Sequence, residues 1–197
     1  MYSNSHLSLL RQAMEKKGIK AYLMKTGDPH NSEEPAPYYS AERRFFCPFS
    51  GDNAYVIVTE KDAILFSDGR FTLSANEEIK GTPYVFIELY RPGNPTPEEY
   101  LRNNVLYPLG VDFSYLSLAD LKELRKGGEV QDVSFFNLVE DVPPLSHDPL
   151  WSFDSSAYQD HNHLEKLEIV REAMKEKGVE ALLLTTLDDI AYLTNLR

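Results

Sequence analysis

Three consecutive residues, Asp68-Gly69-Arg70, carry the sharpest chemical signal in this chain. They follow a run rich in β-branched and aromatic residues, so they stand where a strand must turn. An Asp at such a place can accept backbone N–H groups at the start of a helix, and a Gly allows close approach of the backbone. An Arg offers a planar fork of donors that suits a carboxylate or a peptide carbonyl, which is binding chemistry and not proton transfer. By spacing alone, a helix cap with a solvated surface charge is the commoner outcome. Three other groups invite a metal or a nucleophile and fall short. His30 and Glu33 are two candidate ligands without a third. In Asp160-His161-Asn162-His163 the two imidazoles are two residues apart at a helix start and point to different sides. Cys47 sits among Phe45, Phe46 and Phe49 and reads as a small buried hydrophobe with no catalytic role. The chain contains no HExxH, Walker loop, GxSxG or paired-Cys motif, and no catalytic set is complete.

The elements that position these residues follow from periodicity. Leu7, Leu10 and Met14 mark one face of a helix over 7–17 that Gly18 ends, and a strand follows over 21–24. Residues 55–59 and 63–67 form a hairpin across the polar turn Glu60-Lys61-Asp62, with Asp68 capping a helix that runs from Arg70 to Ile79. Between the first strand and the hairpin, Pro29, Pro35 and Pro37 predict a long loop over 27–41. Beyond a strand over 84–89, Thr96, Pro97, Glu98 and Glu99 are the start signals of another helix. A strand over 109–111, a helix over 116–125 with Ser117 near its start and a strand over 129–133 complete the pattern. Strands alternating with helices predict an α/β fold, a mixed sheet flanked by helices.

A related pattern returns late in the chain. Residues 11–28 align with 171–188 at a constant offset of 160, and nine of the eighteen pairs are identical. The reading is a duplicated domain: 1–139 the first, 140–159 a linker, and 160–197 the start of a second, related domain holding one helix and one strand. Pro143, Pro144 and Pro149 stiffen the linker, and Trp151 and Phe153 are expected to anchor it on a domain surface. One helix and one strand cannot cover their own apolar faces, so docking or pairing with another copy is expected.

With 42% hydrophobic and 26% charged residues, the composition is that of a soluble globular protein. No apolar run approaches the roughly 20 residues of a membrane helix, and the start carries no secretory pattern, so a cytoplasmic location is the expectation. A net charge of −11, from 31 acids and 20 bases, argues against nucleic acid as a partner.

Taken in order, Asp28-Pro29-His30-Asn31-Ser32-Glu33, Arg43-Arg44-Phe45-Phe46 and Asp68-Gly69-Arg70-Phe71 resemble three segments of the amino-terminal region of Xaa-Pro aminopeptidases. Asn137-Leu138-Val139, Pro143-Pro144-Leu145 and the closing segment from Leu187 to Arg197 resemble that family's linker and second-domain start. The sequence departs from the family at Phe49-Ser50-Gly51-Asp52-Asn53-Ala54, usually Gly-rich, and at Glu34, often Tyr. The resemblance implies a creatinase-like amino-terminal domain of a metallopeptidase that removes the residue preceding proline. In such an enzyme two divalent metals, usually manganese, lie in a carboxy-terminal domain that this chain does not contain. It implies that Arg70 and His30 lie near the substrate entrance, that the partner of the parent is a peptide with proline second, and that this part alone is inactive. Self-association into a homo-oligomer stays open. The alternative is a peptide- or protein-binding module of a catalytically inactive relative.

Overall fold

The computed structural model describes residues 2–30, 32, 35–152 and 161–196. By internal contacts the chain divides into two units, one of residues 1–29 and 33–145, the other of residues 30–32 and 146–197.

The first unit is built on a six-stranded mixed sheet in the order β4-β3-β2-β1-β5-β6. The strands are β1 (Ala21–Lys25), β2 (Tyr55–Thr59), β3 (Ala63–Ser67), β4 (Tyr84–Glu88), β5 (Leu109–Val111) and β6 (Val130–Asp132). The hairpin forms as expected, with Tyr55 opposite Phe66 and Ile57 opposite Ile64. Central β1 runs antiparallel to β2 and parallel to β5, and since β2 is also antiparallel to β3 while the other neighbours pair parallel, β2 alone runs against the remaining five strands. Six helices and helical turns of the unit matter below: α1 (Asn4–Lys17), α2 (Pro37–Phe46), α3 (Thr72–Glu78), α4 (Pro97–Asn103), α5 (Leu118–Arg125) and a 3-10 turn, Phe136–Leu138.

Period-two alternation sorts side chains onto the two faces of the sheet. Tyr22, Met24, Val56, Val58 and Leu65 pack with Leu7, Leu10 and Met14 of α1 and Phe45 and Phe46 of α2. Ala21, Leu23, Ile57, Ile64 and Phe66 pack on the other side with Leu101 of α4 and Leu124 of α5. Tyr22, Phe46, Phe66, Leu101 and Leu124 are at most 1% exposed. Burial of each such side chain contributes about 1.5–3 kcal/mol, so two full cores hold the sheet between helices. Thr96 caps α4 as expected, in a capping box with Glu99, and Pro97 takes the first helical position.

Three expectations require correction. The loop over 27–41 is shorter, because α2 starts at Pro37, where a fixed φ and a missing N–H are no handicap in a first turn. The chain after Asp68 forms a 3-10 turn, Gly69–Phe71, before α3 begins at Thr72. Among the described residues the second unit contains two helices, α6 (His163–Glu176) and α7 (Leu187–Thr194), and no strand over 181–186. An apolar extended run becomes a strand only when a neighbour supplies the ladder. Trp151, the expected linker anchor, is 58% exposed, and Phe153 lies outside the described residues.

Within the second unit, Asn162 caps α6 in a capping box with Glu165. Lys166 is 4% exposed and donates to Asn195 Oδ1 at 2.8 Å and to the Tyr192 carbonyl, tying α6 to the end of α7. Its ammonium also lies 4.3 Å from the centre of the Tyr192 ring, a favourable cation–π placement. Leu164, Leu182, Leu183 and Tyr192 remain more than half exposed. Among the described residues no helix is long and apolar enough to cross a membrane.

Candidate functional site

Asp68 lies directly after β3, and its carboxylate is the centre of a small polar cluster. It accepts from the backbone N–H of Arg70 at 2.9 Å, which makes it the N-cap of the 3-10 turn. The same carboxylate accepts from Arg70 Nε at 3.0 Å and Nη2 at 2.8 Å, and from Asn53 Nδ2 at 2.7 Å. Asn53 has a φ of 49°, a left-handed conformation that Asn tolerates better than most residues, and it is pinned there by Asp68. The Arg70 fork, with the Asn53 bond added to it, holds the Asp68 carboxyl well below the usual carboxylate range despite its burial. The Asp68 side chain is 12% exposed and that of Arg70 69%. Arg70 is thus a guanidinium oriented by a buried acid, its carbon 5.5 Å from the Phe71 ring centre, and presented at the surface.

His30, the other residue of the expected entrance, is exposed and belongs by contacts to the second unit. Glu33 lies outside the described residues. Cys47 is fully buried, and burial pushes its thiol up to about 11, which leaves it protonated and unreactive at neutral pH. Among the described residues no group of three His, Cys, Asp or Glu side chains is placed to hold a metal ion.

A second polar cluster escaped the sequence reading altogether. It lies beyond the carboxyl ends of parallel β1 and β5, where a cavity of about 20 Å³ is lined by Tyr22, Lys25, Tyr39, Glu42, Asp112 and Tyr115, among others. Glu42 is 6% exposed, and its Oε1 accepts from the Tyr22 hydroxyl at 2.9 Å and the Phe135 N–H at 2.8 Å. Burial pushes its carboxyl up to about 7, against the opposing pull of those two bonds. Next to it Arg43, 2% exposed, spends its guanidinium on the carbonyls of Phe49 at 2.8 Å and Gly51 at 2.9 Å. Those bonds fix the loop before β2 and hence Asn53, the partner of Asp68. Only the amphipathic spacing of Ala41, Phe45 and Phe46 could have signalled a helix here. Nothing in composition marks two adjacent charged residues as buried.

The site thus sits on a mixed six-stranded sheet between helices in which β2 alone runs against the other strands. Residues 6–142 match the family described as Creatinase/Prolidase N-terminal domain, and residues 141–197 match a second family of the same description. The chain belongs to the creatinase/prolidase N-terminal domain family. Its relatives include Xaa-Pro aminopeptidases. It is 30% identical to a probable Xaa-Pro aminopeptidase P of Laccaria bicolor over 99% of this chain and 32% of that protein. It is 32% identical to Xaa-Pro aminopeptidase app-1 of Caenorhabditis elegans over 92% of this chain and 31% of that one. A crystal structure of X-prolyl aminopeptidase from Caenorhabditis elegans, described as a cytosolic enzyme with a di-nuclear active site, superposes with a TM-score of 0.81. That superposition covers 98% of this chain and 34% of the enzyme at 26% identity. The chain therefore spans about a third of the length of the relatives it matches.

Proposed function

We propose that this chain is the non-catalytic amino-terminal part of a metal-dependent Xaa-Pro aminopeptidase. In this reading residues 1–139 form a creatinase-like domain that shapes substrate access to a carboxy-terminal catalytic domain. Residues 140–159 link it to a second, related domain begun by residues 160–197. The observation that carries the reading is continuous similarity to Xaa-Pro aminopeptidases along nearly the whole chain, which a fold likeness alone would not supply. The di-nuclear site named for the Caenorhabditis elegans enzyme has no fitting donor set among the described residues here. In this proposal two divalent metals, which we take to be manganese, belong to the catalytic domain of the parent. Its substrate in this proposal is a peptide with proline at the second position, handled in the cytoplasm.

Arg70 and His30 are proposed to face the route of that substrate. A guanidinium oriented by Asp68 and open to solvent suits a peptide carbonyl or carboxylate, whereas it has no means of activating water. The test is direct. Purified residues 1–197, supplied with manganese and an Xaa-Pro peptide, are expected to release no amino acid above the metal-only background. Metal-dependent turnover by this chain would refute the reading.

A further inference from the structure

We propose that Glu42 is a proton-operated latch that holds residues 133–139, the stretch that follows β6, against helix α2 and strand β1. Val133 and Phe135 of this stretch are buried in the core and Leu138 and Val139 pack against it. Its backbone is tied to the sheet by Val133 N–H, which donates to the Val111 carbonyl at 3.0 Å, before the 3-10 turn Phe136–Leu138. Phe135 is 4% exposed, its ring set edge-on to Tyr22 at 4.8 Å and its N–H aimed at Glu42 Oε1 at 2.8 Å. Phe136 packs on Tyr38 of α2 with ring centres 5.0 Å apart. One carboxyl thus receives a hydroxyl from the centre of the sheet and an amide from the stretch after β6.

The surroundings of Glu42 give the latch its sensitivity. From β1 it faces Tyr22, and Lys25 lines the same cavity but donates to Asp120 of α5 at 3.1 Å. From its own helix come Tyr39 and Arg43, the latter spent on the carbonyls of Phe49 and Gly51. After β5 come Asp112, which accepts from Ser114, and Tyr115. From α1, His6 stacks on Phe45 and bonds its carbonyl. Among the described residues no cation is therefore bonded to Glu42, while Asp112 disfavours its charge. In the closed state its carboxyl titrates near 7; lifting the stretch would wet it and return it towards the ordinary value of 4.5.

The sign follows from linkage. Between those two values the closed state binds the proton more tightly than the open one, so closure is favoured at low pH and weakens as pH rises, levelling above 7. The opening constant should climb about tenfold per pH unit, up to about 300-fold in total.

Amide exchange of the whole 197-residue chain, followed by NMR from pH 5 to 8 and corrected for base catalysis, reads this directly. The Phe135 amide is expected to exchange faster than amides of β1, with an opening constant that rises with pH and flattens near pH 7.5. In Glu42→Gln the slope should vanish. Exchange of Phe135 at the rate of β1, a flat wild-type profile, or a slope that persists in Glu42→Gln would each overturn the latch. Should Glu42→Gln fail to fold, the wild-type carboxyl carbon resonance decides: a midpoint near 7 sustains the proposal, and one near 4.5 overturns it.

Discussion

Asp68→Ala removes four acceptor contacts at once, and the structure ranks them. The N-cap bond to Arg70 N–H is worth about 1 kcal/mol. The bond from Asn53, between a partly buried amide and a carboxylate, is worth about 2 kcal/mol, and its loss also releases a left-handed residue. The pair with the Arg70 guanidinium adds less than about 1 kcal/mol, because that side chain is 69% exposed and screened by water. The expected cost of Asp68→Ala is therefore about 3 kcal/mol, against less than about 1 kcal/mol for Arg70→Ala. Asp68→Asn, which keeps one acceptor oxygen for the cap, should fall between them.

The same cluster predicts a pH dependence. The Asp68 carboxyl is held below its ordinary value in the folded chain, so the unfolded chain binds the proton more readily. Its contribution is full above about pH 4 and is lost as pH falls further. Urea unfolding followed by far-ultraviolet circular dichroism at pH 7, 4 and 2.5 would measure both effects. The gap between wild type and Asp68→Ala should shrink at pH 2.5. An Arg70→Ala variant as damaged as Asp68→Ala, or a gap that ignores pH, would refute the assignment of Asn53 and the cap as the dominant contacts.

If the proposed function holds, Arg70→Ala in the longer enzyme it implies is expected to lower kcat/KM by roughly 10- to 150-fold, the equivalent of one charge-assisted hydrogen bond, with little change in thermal unfolding. An unaltered kcat/KM would make Arg70 a surface charge oriented by Asp68 and nothing more. A methyl group added at Gly127 would lie 2.2 Å from the Tyr107 hydroxyl, which donates to the Leu124 carbonyl at 3.0 Å. Gly127→Ala should therefore cost about 1–3 kcal/mol by calorimetry, and a neutral result would mean that the Tyr107 ring moves freely. Amides of residues 163–196 should exchange faster than those of β1, since Leu182 and Leu183 are 53% and 84% exposed. Equal protection in a monomeric sample would contradict that.

Much of the scaffold was legible because it rests on local rules. The hairpin, the start of α4 at Thr96-Pro97-Glu98-Glu99 and the cap at Asp68 each depend on residues within a few positions of one another. The candidate site was legible only in part for the same reason. Asp68 and Arg70 are sequence neighbours, but Asn53, their third member, approaches through the fold of the hairpin. Glu42 meets Phe135 across 93 positions, and no local rule assigns a Glu to the interior. The helix that carries Glu42 was hidden by Pro35 and Pro37. Pro37 starts this helix and does not break it, and the distinction depends on whether the following residues have an apolar face to bury.

The repeat separates what local sequence decides from what it does not. Residues 21 and 181, 22 and 182, and 23 and 183 occupy equivalent places in the two copies of the pattern, in each case after a helix and a Gly with a left-handed φ. In the first copy the helix, the left-handed turn at Gly18 and the strand β1 all form, and Tyr22 and Leu23 are 0% and 3% exposed. In the second copy the helix and the left-handed turn at Gly178 form again, yet Leu182 and Leu183 are largely exposed and make no ladder. Helix and turn recur because their hydrogen bonds close within a few residues. The strand does not, because β1 takes its bonds from β2, 30 or more residues later, and from β5, more than 80 residues later. Half identity at a fixed offset therefore duplicates the local instructions faithfully, while the element that needs distant partners appears only where those partners are in place.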